Sequence, residues 1–209
     1  MSYCSVAELK AQIVKHQADH DAILQPLIDA AKDAIDAFCN RPDGFVALTT
    51  ATARLYVGDG SRVLWIDECV EVSLVEVKNG VADAGYVTWT TSDWLAATGD
   101  PHNPIFNRTP YTFLIALPTG SYSAFTNGKR DGYSLPTGRI TSRWGYAASA
   151  PPRVKQACLT QAARWYQRGK SGWGDALVNQ DFGMVLYKKP LDPDVQMMLM
   201  HGRLVKMML

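Results

Sequence analysis

Hydrophobic positions along this chain keep two different periods, and the change from one to the other divides it. Near the N-terminus the spacing is helical. Ser5 and Glu8 stand at capping-box distance, with Cys4 and Leu9 placed as the flanking hydrophobic staple, which predicts a helix over 6–15. A second helix is predicted over 21–38. Ile23, Leu24, Leu27, Ile28, Ala31 and Ile35 form its apolar stripe, and Asp29, Lys32, Asp33 and Asp36 lie opposite. Pro26 either kinks the first turns or marks the true start of this helix. The run Asn40–Gly44, which contains Pro42, stops it.

From 45 to 146 the pattern changes to period two. Thr50–Val57 and Arg62–Ile66 flank Gly58-Asp59-Gly60-Ser61 and predict a hairpin. Val70–Lys78 reads as a strand ended by Asn79-Gly80, and Tyr86–Thr90, Tyr111–Leu117 and Arg139–Tyr146 are further strands. The connectors, such as Gly99–Pro104 and Thr126–Gly132, are long and rich in turn residues, and Trp89 and Trp94 are placed to pack beneath one of them. Helical spacing returns after Pro151-Pro152 and predicts a helix over 152–168, with Gly169 as the residue just past its end. Beyond a glycine-rich bend, Met184–Tyr187 reads as a short strand. Asp192 and Pro193 then read as the cap and first residue of a last helix. That helix carries Val195, Met198, Leu199, Leu204, Val205 and Met208 on one broad face.

The predicted fold class is therefore α+β. A small helical bundle core is drawn from 1–44 and 138–170, a large antiparallel β-rich insertion fills 45–137, and 171–209 form a C-terminal extension with a terminal helix. Composition agrees with a folded domain: of 209 residues, 47% are hydrophobic and 20% charged, which excludes disordered and collagen-like chains. The net charge of +1 does not mark a general binder of nucleic acid or membrane surfaces. Its distribution is uneven. Residues 1–100 hold 15 acidic and 7 basic side chains, and residues 101–209 hold 5 and 14, a layout suited to end-to-end self-association. Cys4, Cys39, Cys69 and Cys158 are far apart with no CxxC spacing, so reduced thiols in a cytoplasmic setting are expected. No apolar run of about 18 residues exists, and no signal-peptide pattern opens the chain, so a soluble protein made inside the cell is expected.

Catalytic and cofactor motifs fail on inspection. Arg164–Ser171 ends in the GKS of a phosphate-binding loop, but Arg164 replaces the first glycine and the run lies along a helix. His16 and His20 stand four apart without the intervening glutamate of a zinc protease and fall at a helix junction. Ser121 and Ser123 lack a nucleophile elbow, and the adjacent Asp67 and Glu68 point to opposite faces of a strand. No catalytic residue, cofactor or metal is assigned. The basic residues of the third helix read as a solvated face. The methionines of the tail, Met197, Met198, Met200, Met207 and Met208, suit either a packed terminal helix or a partner groove.

Three stretches carry a family likeness: SVAELKAQI, DHDAILQPLIDAAKDAIDAF and RITSRWGYAASAPPRVKQACLTQAARWYQRG. The most specific piece is a strand ending in Trp144-Gly145-Tyr146 followed by a proline-led helix that ends in an aromatic and Arg-Gly. The chain resembles the head–tail connector proteins of tailed bacteriophages, also called adaptor or head-completion proteins, over roughly 3–44 and 138–170. It departs from their shortest members in its long β-rich insertion and extended C-terminus. The resemblance implies a structural virion protein of the neck, made in the host cytoplasm and not an enzyme. It implies a homo-oligomeric ring, dodecameric in such families, seated below a portal protein, extending the DNA channel without sequence-specific contacts and offering a platform to a stopper or tail protein. No membrane partner is implied. Asp29, Asp33 and Asp36 of one subunit are expected to meet Arg153, Arg164 and Arg168 of the next. Val195, Met198, Leu199, Arg203, Leu204, Lys206 and Met208 are expected at the portal contact. The alternatives are another neck or tail component, such as a stopper or tail terminator, or a non-viral adaptor.

Overall fold

The computed structural model describes residues 2–13, 21–170, 176–179, 184–187, 191–201 and 204–206. In chain order they form α1 (Val6–Gln12) and α2 (Asp21–Phe38), then β1 (Thr52–Tyr56), β2 (Val63–Val77), β3 (Val87–Trp89), β4 (Trp94–Asp100) and β5 (Asn103–Ile105). Next come β6 (Tyr111–Ala116), β7 (Lys129–Arg130), β8 (Tyr133–Ser134) and β9 (Gly138–Trp144). The chain then forms α3 (Pro152–Lys170), β10 (Ala176–Asn179), β11 (Met184–Tyr187) and α4 (Pro193–His201). The fold is α+β, and it divides into two compact units: 1–45 with 150–209, and 46–149.

In the first unit the capping box closes as its spacing predicts. Glu8 N–H donates to Ser5 Oγ at 3.2 Å, and Ser5 N–H donates to Glu8 Oε2 at 3.0 Å. The helix ends sooner than expected because Ile13 takes an extended backbone conformation (φ −91°, ψ 103°). Pro26 lies within α2, one turn from its start, so the helix begins before the proline. Gly169 does not end α3, which continues to Lys170. In α4, Asp192 Oδ1 accepts from Asp194 N–H at 3.0 Å, the cap chemistry read from the sequence. This helix stops at His201, so Leu204 and Val205 follow it instead of belonging to it. Helices α1, α2 and α4 all contact α3, around a core that includes Leu9, Leu24, Ile28, Ile35, Val154, Tyr166 and Leu199.

The second unit is built on β2, which spans both sequence runs expected to be separate strands. A seven-stranded antiparallel sheet runs β1-β9-β2-β6-β4-β5, with β3 also paired to β2. Residues Val63–Cys69 of β2 pair with β6, and Cys69–Val77 pair with β9 on the opposite edge. The expected hairpin across 58–61 is not formed: β1 pairs with β9, with Tyr56 opposite Gly138 and Thr52 opposite Ser142. Gly138–Trp144, grouped with the helices in the sequence reading, is thus flanked on both edges within the sheet. Strands β4 and β5 occupy a stretch read as connector, turning at 100–103, where Asp100 Oδ1 accepts from His102 N–H at 2.8 Å.

The core of this unit includes Leu64, Val75, Leu114, Ile140 and Trp144. Trp89 does pack beneath a connector, stacking on Tyr122 and Phe125 with both centroids at 4.8 Å. Trp144 is fully buried, and its Nε1–H donates to the Thr52 carbonyl at 2.8 Å. Gly145 follows it at φ +135°, and a side chain there would meet the Ala47 backbone at 2.4 Å. The Trp-Gly pair is therefore a packing requirement. Among the described residues no helix is long and apolar enough to cross a membrane.

Candidate interaction surfaces

The acidic face of α2 is partly consumed within its own unit. Asp36 is buried, at 7% exposure, and accepts from Tyr3 Oη–H and from Lys32 Nζ, the latter at 2.9 Å. Tyr3 Oη in turn accepts from Phe45 N–H at 2.7 Å. Burial and the neighbouring Asp36 carboxylate push the Tyr3 hydroxyl well above its ordinary range, so it serves as a permanent donor. Gly44, at φ +73°, makes room for this group, since a Cβ there would lie 2.9 Å from Tyr3 Oη. Asp29 is exposed and accepts from Ser2 Oγ–H at 3.0 Å and Gln25 Nε2 at 2.9 Å. Asp33 is exposed too, its side chain 78% open and paired with Lys32 at 3.3 Å.

The basic residues of α3 are similarly divided. Arg164 pairs with Asp192 and, at 2.7 Å, with Asp194, fastening α3 to the start of α4. Arg168 is half-buried and engaged within the chain, and Arg153 is exposed near the start of α3. Lys155 pairs with Glu8, whose carboxyl this bond holds below the usual carboxylate range. Of the charges expected to meet across a subunit boundary, Asp29, Asp33, Asp36, Arg164 and Arg168 therefore already engage partners within their own chain.

The apolar side of α4 also turns inward. Val195 and Leu199 are fully buried and Leu204 is 4% exposed. The segment after the helix is tied to the end of α2: Arg41 Nε–H donates to the Leu204 carbonyl at 2.8 Å, and Lys206 N–H donates to the Cys39 carbonyl at 2.9 Å. Met198 is half-buried and Lys206 is exposed. Arg203 and Met208 lie outside the described residues, as do His16 and His20. The side of α4 left in solvent carries Met197 and Met200, 53% and 61% exposed. Met197 and Met198 line a cavity of about 460 Å³ with Arg153 and Asp194. A second concavity of about 360 Å³ lies between α2 and α3, lined by Ile23, Pro26, Leu27, Trp165 and Tyr166.

The sheet unit offers a surface that period-two reading did not single out. On the side of β2, β6 and β4 away from the core, Trp65 and Leu95 are exposed, with Val63 and Ile115 half-buried beside them. Trp65 packs edge-on against the buried Phe113 at 5.2 Å. The signal was present in Phe113-Leu114, two large apolar neighbours on opposite faces of one strand.

No protein-family model matches the chain, and no curated protein does. Solved structures do. One match is a chain in the "Neck of empty GTA particle computed with C6 symmetry", 17% identical, covering 99% of this chain and 91% of that one with a TM-score of 0.54. The likeness is one of fold. Another is a chain in the "Virion of native gene transfer agent (GTA) particle", 20% identical, covering 99% and 92%, with a TM-score of 0.47.

Proposed function

We propose that this chain is a structural component of the neck of a phage-like particle, a head–tail connector that works by assembly and not by turnover. The observation that carries the reading is the fold likeness, over 99% of the chain, to a chain of a particle neck. The sequence resemblance of the helical framework to phage connectors supports it independently. A neck computed with C6 symmetry accommodates a ring of six subunits, or of twelve arranged as six pairs. A closed ring needs heterologous contacts, one face of a subunit against a different face of the next. Asp33 and Arg153, both exposed, are the members of the two charged sets best placed to meet a neighbouring copy.

The contact with a portal, or with the next stopper or tail protein, uses the solvent side of α4. Met197 and Met200 are flexible, polarisable side chains of the kind that mould to a partner groove, and Lys206 adds positive charge nearby. DNA passes through the ring without sequence-specific contacts, and the function calls for no cofactor. The protein acts in the virion neck after synthesis in the host cytoplasm.

Co-sedimentation of the purified protein with portal-bearing heads tests the reading. Saturable binding at six or twelve copies per head is expected, and a Met197→Glu, Met200→Glu double variant should weaken it by at least ~10-fold, equivalent to about 1.4 kcal/mol. A folded protein that does not bind heads contradicts it.

A further inference from the structure

Four thiols are buried in this chain, and two of them touch. Cys4 stands immediately before Ser5, the cap of α1, and Cys158 lies on the inner side of α3, with their sulfurs 3.7 Å apart. Cys4 retains 7% exposure and Cys158 none. A disulfide requires a sulfur separation of about 2.05 Å, so each sulfur has to move by about 0.8 Å. Cys4 precedes the first helical turn, and a small shift there breaks no intrahelical hydrogen bond.

We propose that Cys4 and Cys158 are an oxidisable pair, which a hydroperoxide converts into a disulfide fastening the N-terminal segment to α3. The Cys4 thiolate attacks the O–O bond of hydrogen peroxide, giving a sulfenic acid and, with one proton, the first water. The Cys158 sulfur, losing its proton, then attacks the Cys4 sulfur. The S–S bond forms, the S–OH bond breaks, and the hydroxyl leaves as the second water. Two thiols give up two electrons and two protons, and one peroxide becomes two waters.

The order of attack follows access, because of the two residues only Cys4 retains any exposure. Acidity favours the same order. The Cys158 sulfur beside it holds the Cys4 thiol below its ordinary range, while the Cys158 thiol is raised. Cys39 and Cys69 are fully buried, and burial pushes both thiols up to about 11, which leaves them poor competitors. The bond spans 154 positions of sequence and so restricts the unfolded chain far more than the folded one. None of this depends on the neck assignment.

The test exposes the reduced, folded, full-length protein to hydrogen peroxide, then blocks remaining thiols with an alkylating reagent and maps the peptides. The expected product has lost about 2 Da, joins the peptides holding Cys4 and Cys158, runs faster on a non-reducing denaturing gel, and reverts with dithiothreitol. Its melting temperature should exceed that of the reduced protein. Cys4→Ser should abolish the cross-link and Cys39→Ser should leave it intact. If both Cys4 and Cys158 remain alkylatable on denaturation after peroxide treatment, or the cross-link joins other cysteines, the proposal is overturned.

Discussion

The helical unit and the sheet unit join distant parts of the chain by different means. In the helical unit, side chains make the connections. Tyr3 reaches Asp36 across 33 positions, Arg41 holds the Leu204 carbonyl across 163, and Arg164 grips two aspartates at the start of α4. In the sheet unit the backbone ladder does this work: β2 alone is paired with β3, β6 and β9. Its buried carboxylates tie turns and neighbouring strands to that ladder. Asp93 closes a turn by accepting from Thr90 N–H and from Ser121 N–H, both at 2.7 Å, and Glu76 pairs with Arg139 on the adjacent strand. A unit held by side-chain clasps is vulnerable to single polar deletions. A unit held by a ladder fails through its packing.

The largest effect should therefore come from Trp144. Trp144→Ala removes a fully buried indole and the bond to the Thr52 carbonyl, and should destabilise the sheet unit by about 3–5 kcal/mol in urea denaturation. A loss below 1 kcal/mol would show that the ladder holds without its centre. In the helical unit, Leu199→Ala should cost about 2–5 kcal/mol, whereas Met200→Ala, one residue on, should stay within about 0.5 kcal/mol. Equal effects at the two positions would dissolve the distinction between the packed and open sides of α4. Tyr3→Phe leaves Asp36 and the Phe45 N–H short of a partner and should cost about 1–3 kcal/mol.

The smallest expected effect is a response to acid. Glu76 is held below the usual carboxylate range by its bond to Arg139, and Asp93 by its bonds to Thr90 and Ser121. A carboxyl whose folded value is depressed contributes stability that is complete above its unfolded value. That stability is lost as pH falls through the folded one. Chemical denaturation of the intact protein should thus show stability declining below the ordinary carboxylate range, and Glu76→Gln should flatten part of the decline. An identical pH profile for the variant would remove the Arg139 pair from the account.

What the sequence disclosed follows the same division. The cap of α1, the cap of α4 and the stripe of α2 depend on residues two to four apart, and all are legible. Strand partners depend on residues far away. Gly58–Ser61 has the composition of a hairpin turn, yet β1 finds β9, because Tyr56 and Arg54 pack on Trp144. Arg62–Ile66 and Val70–Lys78 read as separate strands, but Arg54 and the Tyr56 hydroxyl accommodate Asp67 along a continuous β2. Periodicity located the apolar side of α4 without saying what covers it, and the cover is the protein's own helical core. Asp36 reads as one more surface charge until Tyr3, at the far end of the helical stretch, is seen bonded to it.

The proposal that this protein closes into a ring in a particle neck is tested most directly by electron microscopy of head-bound protein. Class averages viewed along the portal axis should show a closed ring with six- or twelve-fold periodicity and an open centre wide enough for duplex DNA. Protein bound to heads as isolated copies, as an open arc or as a plug without a channel would contradict the account.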